Sequence, residues 1–306
     1  MADRPTEARH PRSTGIHALP GMDALSHLLD AQQAALATVR HAIPALDQAA
    51  TAAANSLRAG GKLAYAGAGS SGLMALADGL ELAGTFGIPP DRTPILFAGG
   101  ASALLHMIGA VEDDPTLAQA DFRNAGLSKG DTILCLSASG STPYTAVIAD
   151  LARAEGLTVV GFANVAGSKL LEQSHIPVLL DTGPEVVNGS TRMGAATAQK
   201  VALNMLSVRM GILLGHVHDG YMVNVVADNA KLADRAARIV AGISGKDMAA
   251  AKDALSQTGG AVKPAVLIAA GATPAQAAAH LKNSEGALGP ALAALTTQGH
   301  QQGVSQ

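Results

Sequence analysis

The chain has 306 residues, 48% hydrophobic and 15% charged, with a net charge of −3, 2% aromatic residues and no Trp. That length suits one large α/β domain or a domain plus a smaller piece, and the balance excludes a basic nucleic-acid surface, an aromatic stacking groove and a patch for anionic membranes. A single cysteine, Cys135, leaves no internal disulfide to form and fits a reducing compartment.

The first 15 residues are polar and lack the apolar stretch of a secretory leader. No apolar run approaches the ~20 residues of a membrane span. A cytoplasmic protein without membrane or nucleic-acid partners is the expectation. Residues 1–20 read as an extended arm. From 22 to 58, Leu25, Leu28, Leu29, Leu36, Val39 and Ile43 recur at helical spacing. Pro44 divides this stretch into two helices, and Gly60-Gly61 ends the second.

From Lys62 short β-prone runs alternate with Ala-rich helical stretches. Strands are predicted over 62–66, 94–98, 131–137, 157–163 and 176–180. Helices are predicted over 72–82 and 102–110, and from Pro143 to Glu155. This alternation implies βαβ units and a parallel sheet. Residues 190–214 read as one helix, apolar on nearly every side and therefore buried. Residues 220–306 are helical and Ala-rich, with a capping-box spacing in "TPAQ" at 273–276 and a disordered tail in the final "GHQQGVSQ". The division expected is an N-terminal arm and helices (1–59), a central α/β domain (60–244) and a C-terminal helical cluster (245–306).

Two stretches carry chemistry. "GAGSSG", at Gly67 to Gly72, lies between a strand and a helix and has the G-x-G-x-x-G spacing. Its backbone N–H groups and the hydroxyls of Ser70 and Ser71 suit an anion at a helix start. The next strand ends in "FAGG", without the acidic residue a dinucleotide ribose requires. "SASGST" repeats the design with Ser137, Ser139, Ser141 and Thr142 around Gly140. A plain turn with a helix cap would use one or two of those hydroxyls. Two such loops at carboxyl ends of parallel strands point to a phosphate crevice instead.

Carboxylates near it are Asp78, Glu81, Glu112, Asp113 and Asp114. Those of "GAVEDD" are expected at a helix C-terminus, facing the unfavourable end of its dipole, with a solvated acidic turn as the alternative for Asp113 and Asp114. Glu81, alone in "LADGLELAGTFG", is either exposed or held for a purpose. "HVHD" at 216–219 offers two histidines without a clear third metal ligand, and His106 reads as a packed or interfacial residue. No metal site is expected.

The two Ser-rich strand–loop–helix units resemble a sugar isomerase (SIS) domain, which binds phosphosugars. From about Thr6 to Ala294 the chain resembles the N-acetylmuramic acid 6-phosphate etherase family. The resemblance lies in "TEAR", "GAGSSG", "GTFG", "AGG", "VEDD", "SASGSTPY", "GPEVVNGSTRM", "TAQKVALNMLS" and "MVNVVADNAKLADRAARIV". It implies an α/β fold: a three-layer αβα sandwich of SIS type with a parallel sheet, an N-terminal helical arm and a C-terminal helical cluster. It implies cleavage of a D-lactyl ether by syn elimination and water addition, without cofactor or metal, in a homodimer. It maps the acid to Glu81 and the second catalytic carboxylate to Glu112, and the phosphate to Gly69, Ser70, Ser71, Ser137, Ser139, Ser141 and Thr142. Different environments would set the two carboxyls apart in protonation, an apolar helix face raising Glu81. The family's arginine and lysine are Ser141 and Gly194 here, while Arg192 and Lys200 remain. Two other readings share the fold: a non-catalytic phosphosugar sensor, and an aldose–ketose isomerase, which also takes a proton from C2.

Overall fold

The structure, a computed structural model, describes residues 5–303, with side chains to 297. The chain divides into two compact units: Met1–Leu80 with Pro90–Arg209, and Glu81–Pro89 with Met210–Gln306. In chain order the helices and strands of the first are α1 (Gly21–Ala37), α2 (Ile43–Arg58), β1 (Leu63–Gly67), α3 (Gly69–Phe86), β2 (Ile95–Phe97), α4 (Gly100–Leu105), α5 (Pro115–Asn124), β3 (Thr132–Leu136), α6 (Pro143–Ala154), β4 (Thr158–Ala163), α7 (Lys169–Gln173), β5 (Ile176–Leu179) and α8 (Gly194–Leu213). The last turns of α3 and of α8 belong to the second unit.

The five strands form a wholly parallel sheet in the order β2-β1-β3-β4-β5. Parallel strands buried on both faces read as continuous apolar runs, and every residue of β1 and β3 is buried. Alternate side chains serve opposite faces. Ala64, Ala66, Ile133, Cys135 and Val159 pack with Ala118 and Phe122 of α5 and with Tyr144, Ile148 and Ala152 of α6. Helix α2 packs against β1, β3 and β5. Its buried stripe is Leu46, Ala49, Ala50, Ala53, Ala54 and Leu57, and the small residues there let helix and sheet approach closely.

The predicted strands are present: the first keeps its length but is shifted one residue along the chain, and the other four are one to two residues shorter. Pro44 does sit at the start of α2, after a 3-10 turn over Thr38–Ala42. The arm is not extended: 3-10 turns form at Pro5–Glu7, Pro11–Ser13 and Ile16–Ala18. The fixed φ of proline suits the first position of such turns. Helix α3 begins at Gly69, three residues earlier than predicted. α4 stops at Leu105, and a 3-10 turn over Gly109–Asp113 follows.

The second unit has a short hairpin, β6 (Val217–His218) with β7 (Tyr221–Met222), then α9 (Ala230–Ser244), α10 (Met248–Gln257), α11 (Val262–Ala269), α12 (Pro274–Asn283) and α13 (Leu288–Gly303). Its core includes Val223, Val225, Ile239, Val240, Val266 and Leu267. The capping box is present: Thr273 accepts from the Gln276 N–H, and the Gln276 side chain from the Thr273 N–H. Helix α13 extends into the segment expected to be a disordered tail, and residues 304–306 lie outside those described. Among the described residues no helix is long and apolar enough to cross a membrane.

One contact sets the height of α3 on the sheet. A Cβ on Gly67 would lie 2.9 Å from the Gly72 Cα, and one on Gly72 would lie 2.8 Å from the Gly67 carbonyl oxygen and from the Phe97 ring. Alanine at 72 gains up to about 1 kcal/mol of helix propensity, but overlap with a backbone carbonyl has no side chain to relax. Gly72→Ala is expected to destabilise the protein by about 1–3 kcal/mol, seen as a lower midpoint in urea unfolding.

Candidate active site

Strands β1 and β3 are neighbours, with Gly67 paired to Leu136 at their carboxyl ends. The chain proceeds from β1 to β2 on one side and from β3 to β4 on the other. The gap between them is therefore a topological switch point, where open α/β sheets bind ligands. The two hydroxyl-bearing loops leave the sheet there, side by side.

After β1, Ser70 and Ser71 stand in the first turn of α3, not in a loop before it. Ser71 is buried and Ser70 half-buried. The first N–H groups of a helix lack partners within it, and its dipole favours negative charge there. After β3 the hydroxyls are drawn into one cluster. Ser137 Oγ lies 2.8 Å from Thr142 Oγ1 and 3.4 Å from Ser139 Oγ. Ser141 Oγ donates to Ser139 Oγ at 3.1 Å, and the Gly140 N–H donates to Ser137 Oγ at 3.0 Å. Thr142 is the N-cap of α6 but makes no side-chain capping bond. The hydroxyl that a plain turn would spend on the helix faces the other hydroxyls instead.

Glu112 comes to the same place. It lies in the 3-10 turn Gly109–Asp113, not at the helix C-terminus expected from the sequence. Its Oε1 is 2.5 Å from where a Cβ on Gly69 would stand, and Gly69 has a φ of 52°. The second glycine of the loop reads as space for a carboxylate as well as left-handed backbone. A small cavity of about 100 Å³ opens there, lined by Gly69, Phe97, Met107, Ile108, Val111 and Glu112 among others. Burial pushes the Glu112 carboxyl above its usual range, and the negative charge of Asp113 pushes it further.

The other candidates divide by role. Asp114 caps α5, accepting from the N–H groups of Thr116 and Leu117 at 2.8 and 3.1 Å. Asp78 is buried in a network that the sequence does not reveal. It accepts from Tyr65 Oη at 2.9 Å, Asn204 Nδ2 at 2.8 Å and Ser207 Oγ at 3.0 Å. Burial raises its carboxyl; those three donors and the nearby Lys200 charge pull it back without cancelling the rise. Asp78 thus ties α3 to β1 and α8. Glu81, in the second unit, is exposed, so the apolar surround expected of it is absent from the single chain.

His106 is exposed at the end of α4, not packed. His216 is half-buried before the β6–β7 hairpin. Its imidazole is lowered to about 4, chiefly by burial, then by the Lys263 charge, against a backbone hydrogen bond with Phe86. Among the described residues no three His, Cys, Asp or Glu side chains group to hold a metal. Gly194 is buried at the start of α8. Its N–H donates to Glu185 Oε2 at 2.9 Å, and a Cβ there would lie 2.9 Å from that of Ala35. The position of the family's lysine is here a packed helix start.

The SIS domain model matches residues 28–164. Among solved structures, a phosphoheptose isomerase from Francisella tularensis is similar over 64% of this chain and 98% of its own, with a TM-score of 0.48 and 22% identity. The N-acetylmuramic acid 6-phosphate etherase of Deinococcus radiodurans is 42% identical over 92% of this chain and 93% of its own. That of Brucella anthropi is 38% identical over 94% of each. The chain belongs to the N-acetylmuramic acid 6-phosphate etherase family.

Proposed function

We propose that this protein cleaves the D-lactyl ether of N-acetylmuramic acid 6-phosphate, yielding N-acetylglucosamine 6-phosphate and D-lactate. The observation that carries the reading is the carboxylate of Glu112 seated on Gly69, beside two hydroxyl-bearing loops at the switch point. Gly69, Ser70, Ser71, Ser137, Ser139, Ser141 and Thr142 hold the 6-phosphate with hydroxyl and backbone donors. Glu112 takes the C2 proton of the open-chain aldehyde. The electrons of that C–H bond form the C2–C3 double bond as the C3–O bond breaks, and Glu81 gives the departing lactate oxygen its proton. Water then adds its hydroxyl at C3 and a proton at C2. A carboxylate raised above its usual range is a stronger base once ionised, which supports Glu112 in that step.

The reading includes a dimer. Leu105 is 80% exposed and Leu80 65%, with Met107, Ile108 and Val208 exposed as well. Apolar side chains in such number suit cover by a second copy.

D-lactate release from the muramic substrate separates this reading from the sensor and the isomerase, neither of which liberates lactate. Wild type is expected to release it, and Glu81→Gln to bind substrate without turnover. Full activity in Glu81→Gln would remove Glu81 from the acid role. Gly69→Ala is expected to cut kcat by about 100-fold or more, because its methyl group takes the place of Glu112 Oε1; an unchanged thermal midpoint would show that the loss is local. The acid limb of kcat/KM is expected above the ordinary glutamate range. Asp113→Asn removes a charge that opposes ionisation of Glu112, so the limb should move to lower pH; an unmoved limb would separate it from Glu112.

A further inference from the structure

Muramic acid carries a second anion besides its phosphate, the carboxylate of the lactyl group that leaves. The hydroxyl loops supply no cation for it. We propose that Arg192 binds this lactyl carboxylate and thereby selects lactyl-bearing phosphosugars; the assignment rests on the etherase reading.

Arg192 lies on the loop that follows β5. Because β5 is parallel to β4, this loop leaves the sheet at the same rim as the two serine-bearing segments. Strand β5 stands two places from β3, about 10 Å away, and the loop from 180 to 193 is long enough to cross that distance. Helix α8, which starts two residues after Arg192, is tied to the serine loop. Gln199 Nε2 donates to Asn164 Oδ1 at 3.0 Å, and the Asn164 N–H donates to the Ala138 carbonyl at 2.9 Å.

The loop is held at both ends and in its middle. Glu185, buried, accepts the N–H groups of Gly194 and Ala195, both at 2.9 Å. Ser13 Oγ donates to the Val186 carbonyl at 2.6 Å. The Asn188 amide, oriented to satisfy its neighbours, donates to the carbonyls of Glu7 and Ala8 at 3.1 and 2.6 Å. A site on a pinned loop costs less ordering on binding than one on a free loop.

On this frame Arg192 is exposed and, among the described residues, forms no ion pair or side-chain hydrogen bond. Several other cations of the unit are committed. Lys62, Arg92 and Arg153 donate to backbone carbonyls. Lys169 and Arg209 pair with carboxylates, and Lys200 donates to Asn204. Of the two carboxylates on the same loop, Glu185 is spent on backbone N–H groups and Asp181 forms no ion pair with Arg192, so Arg192 keeps its charge for a ligand. A guanidinium matches a carboxylate with two parallel N–H···O bonds, which lysine does not reproduce.

The test compares two ligands of the full-length chain by calorimetry: N-acetylmuramic acid 6-phosphate and N-acetylglucosamine 6-phosphate, which lacks the lactyl group. Glu112→Gln is used as background so that the first is not consumed, and lactate-release kinetics with Glu112 intact give a second readout. Arg192→Ala is expected to weaken the muramic ligand about 10- to 100-fold, raise its KM to match, and leave the glucosamine ligand unchanged. Arg192→Lys should recover part of the loss. Equal weakening of both ligands, or of neither, would overturn the assignment. A wild-type enzyme that releases no lactate would instead overturn the etherase reading, and is seen before any variant is made.

Discussion

The approach of α3 to the end of β1 governs the rest of the rim. Two glycines let the helix start rest directly on the strand end, backbone against backbone, with the Phe97 ring closing the third side. That height decides where the first helical turn and its two serines stand. It also decides whether the carboxylate from the turn after α4 reaches the Gly69 backbone. The Asp78 network supports the same geometry further along the helix, through one strand and one neighbouring helix.

The glycine-rich stretch therefore divides its labour. Gly67 and Gly72 serve packing, and Gly69 serves the carboxylate. A dinucleotide-binding loop uses the same spacing for close approach of a pyrophosphate; here the space at Gly69 is taken by a side chain of the protein. Spacing alone is silent about this difference, because it fixes where backbone is left bare and not what occupies the bare place.

The strands were legible because both faces of a central parallel sheet are buried, so Leu63 to Ala66, Ile133 to Leu136 and Val159 to Phe162 appear as unbroken apolar runs. Helix starts were less so. Gly69 opens α3 although glycine is a weak helix former, since position on the sheet outweighs propensity. The hydroxyl loops could be found from composition, whereas the failure of Thr142 to cap α6 could not. Asp78 and Asn204 lie 126 residues apart in the chain, beyond any local pattern. The exposure of Glu81 was equally hidden: an apolar stretch around a charge states what its helix buries, not which side the charge is on.

The cradle at the switch point is built of hydroxyls and backbone N–H groups, and its four loop hydroxyls already hydrogen-bond one another. An anion entering it exchanges hydroxyl–hydroxyl bonds for hydroxyl–phosphate bonds by turning O–H vectors, with little movement of heavy atoms. It is held by dipoles and not by a formal counter-charge. Dipole fields fall off faster with distance than the field of a cation. On the proposed reading, such a cradle grips a phosphate that is in contact, and its hydroxyls by themselves exert little pull on one that has begun to leave.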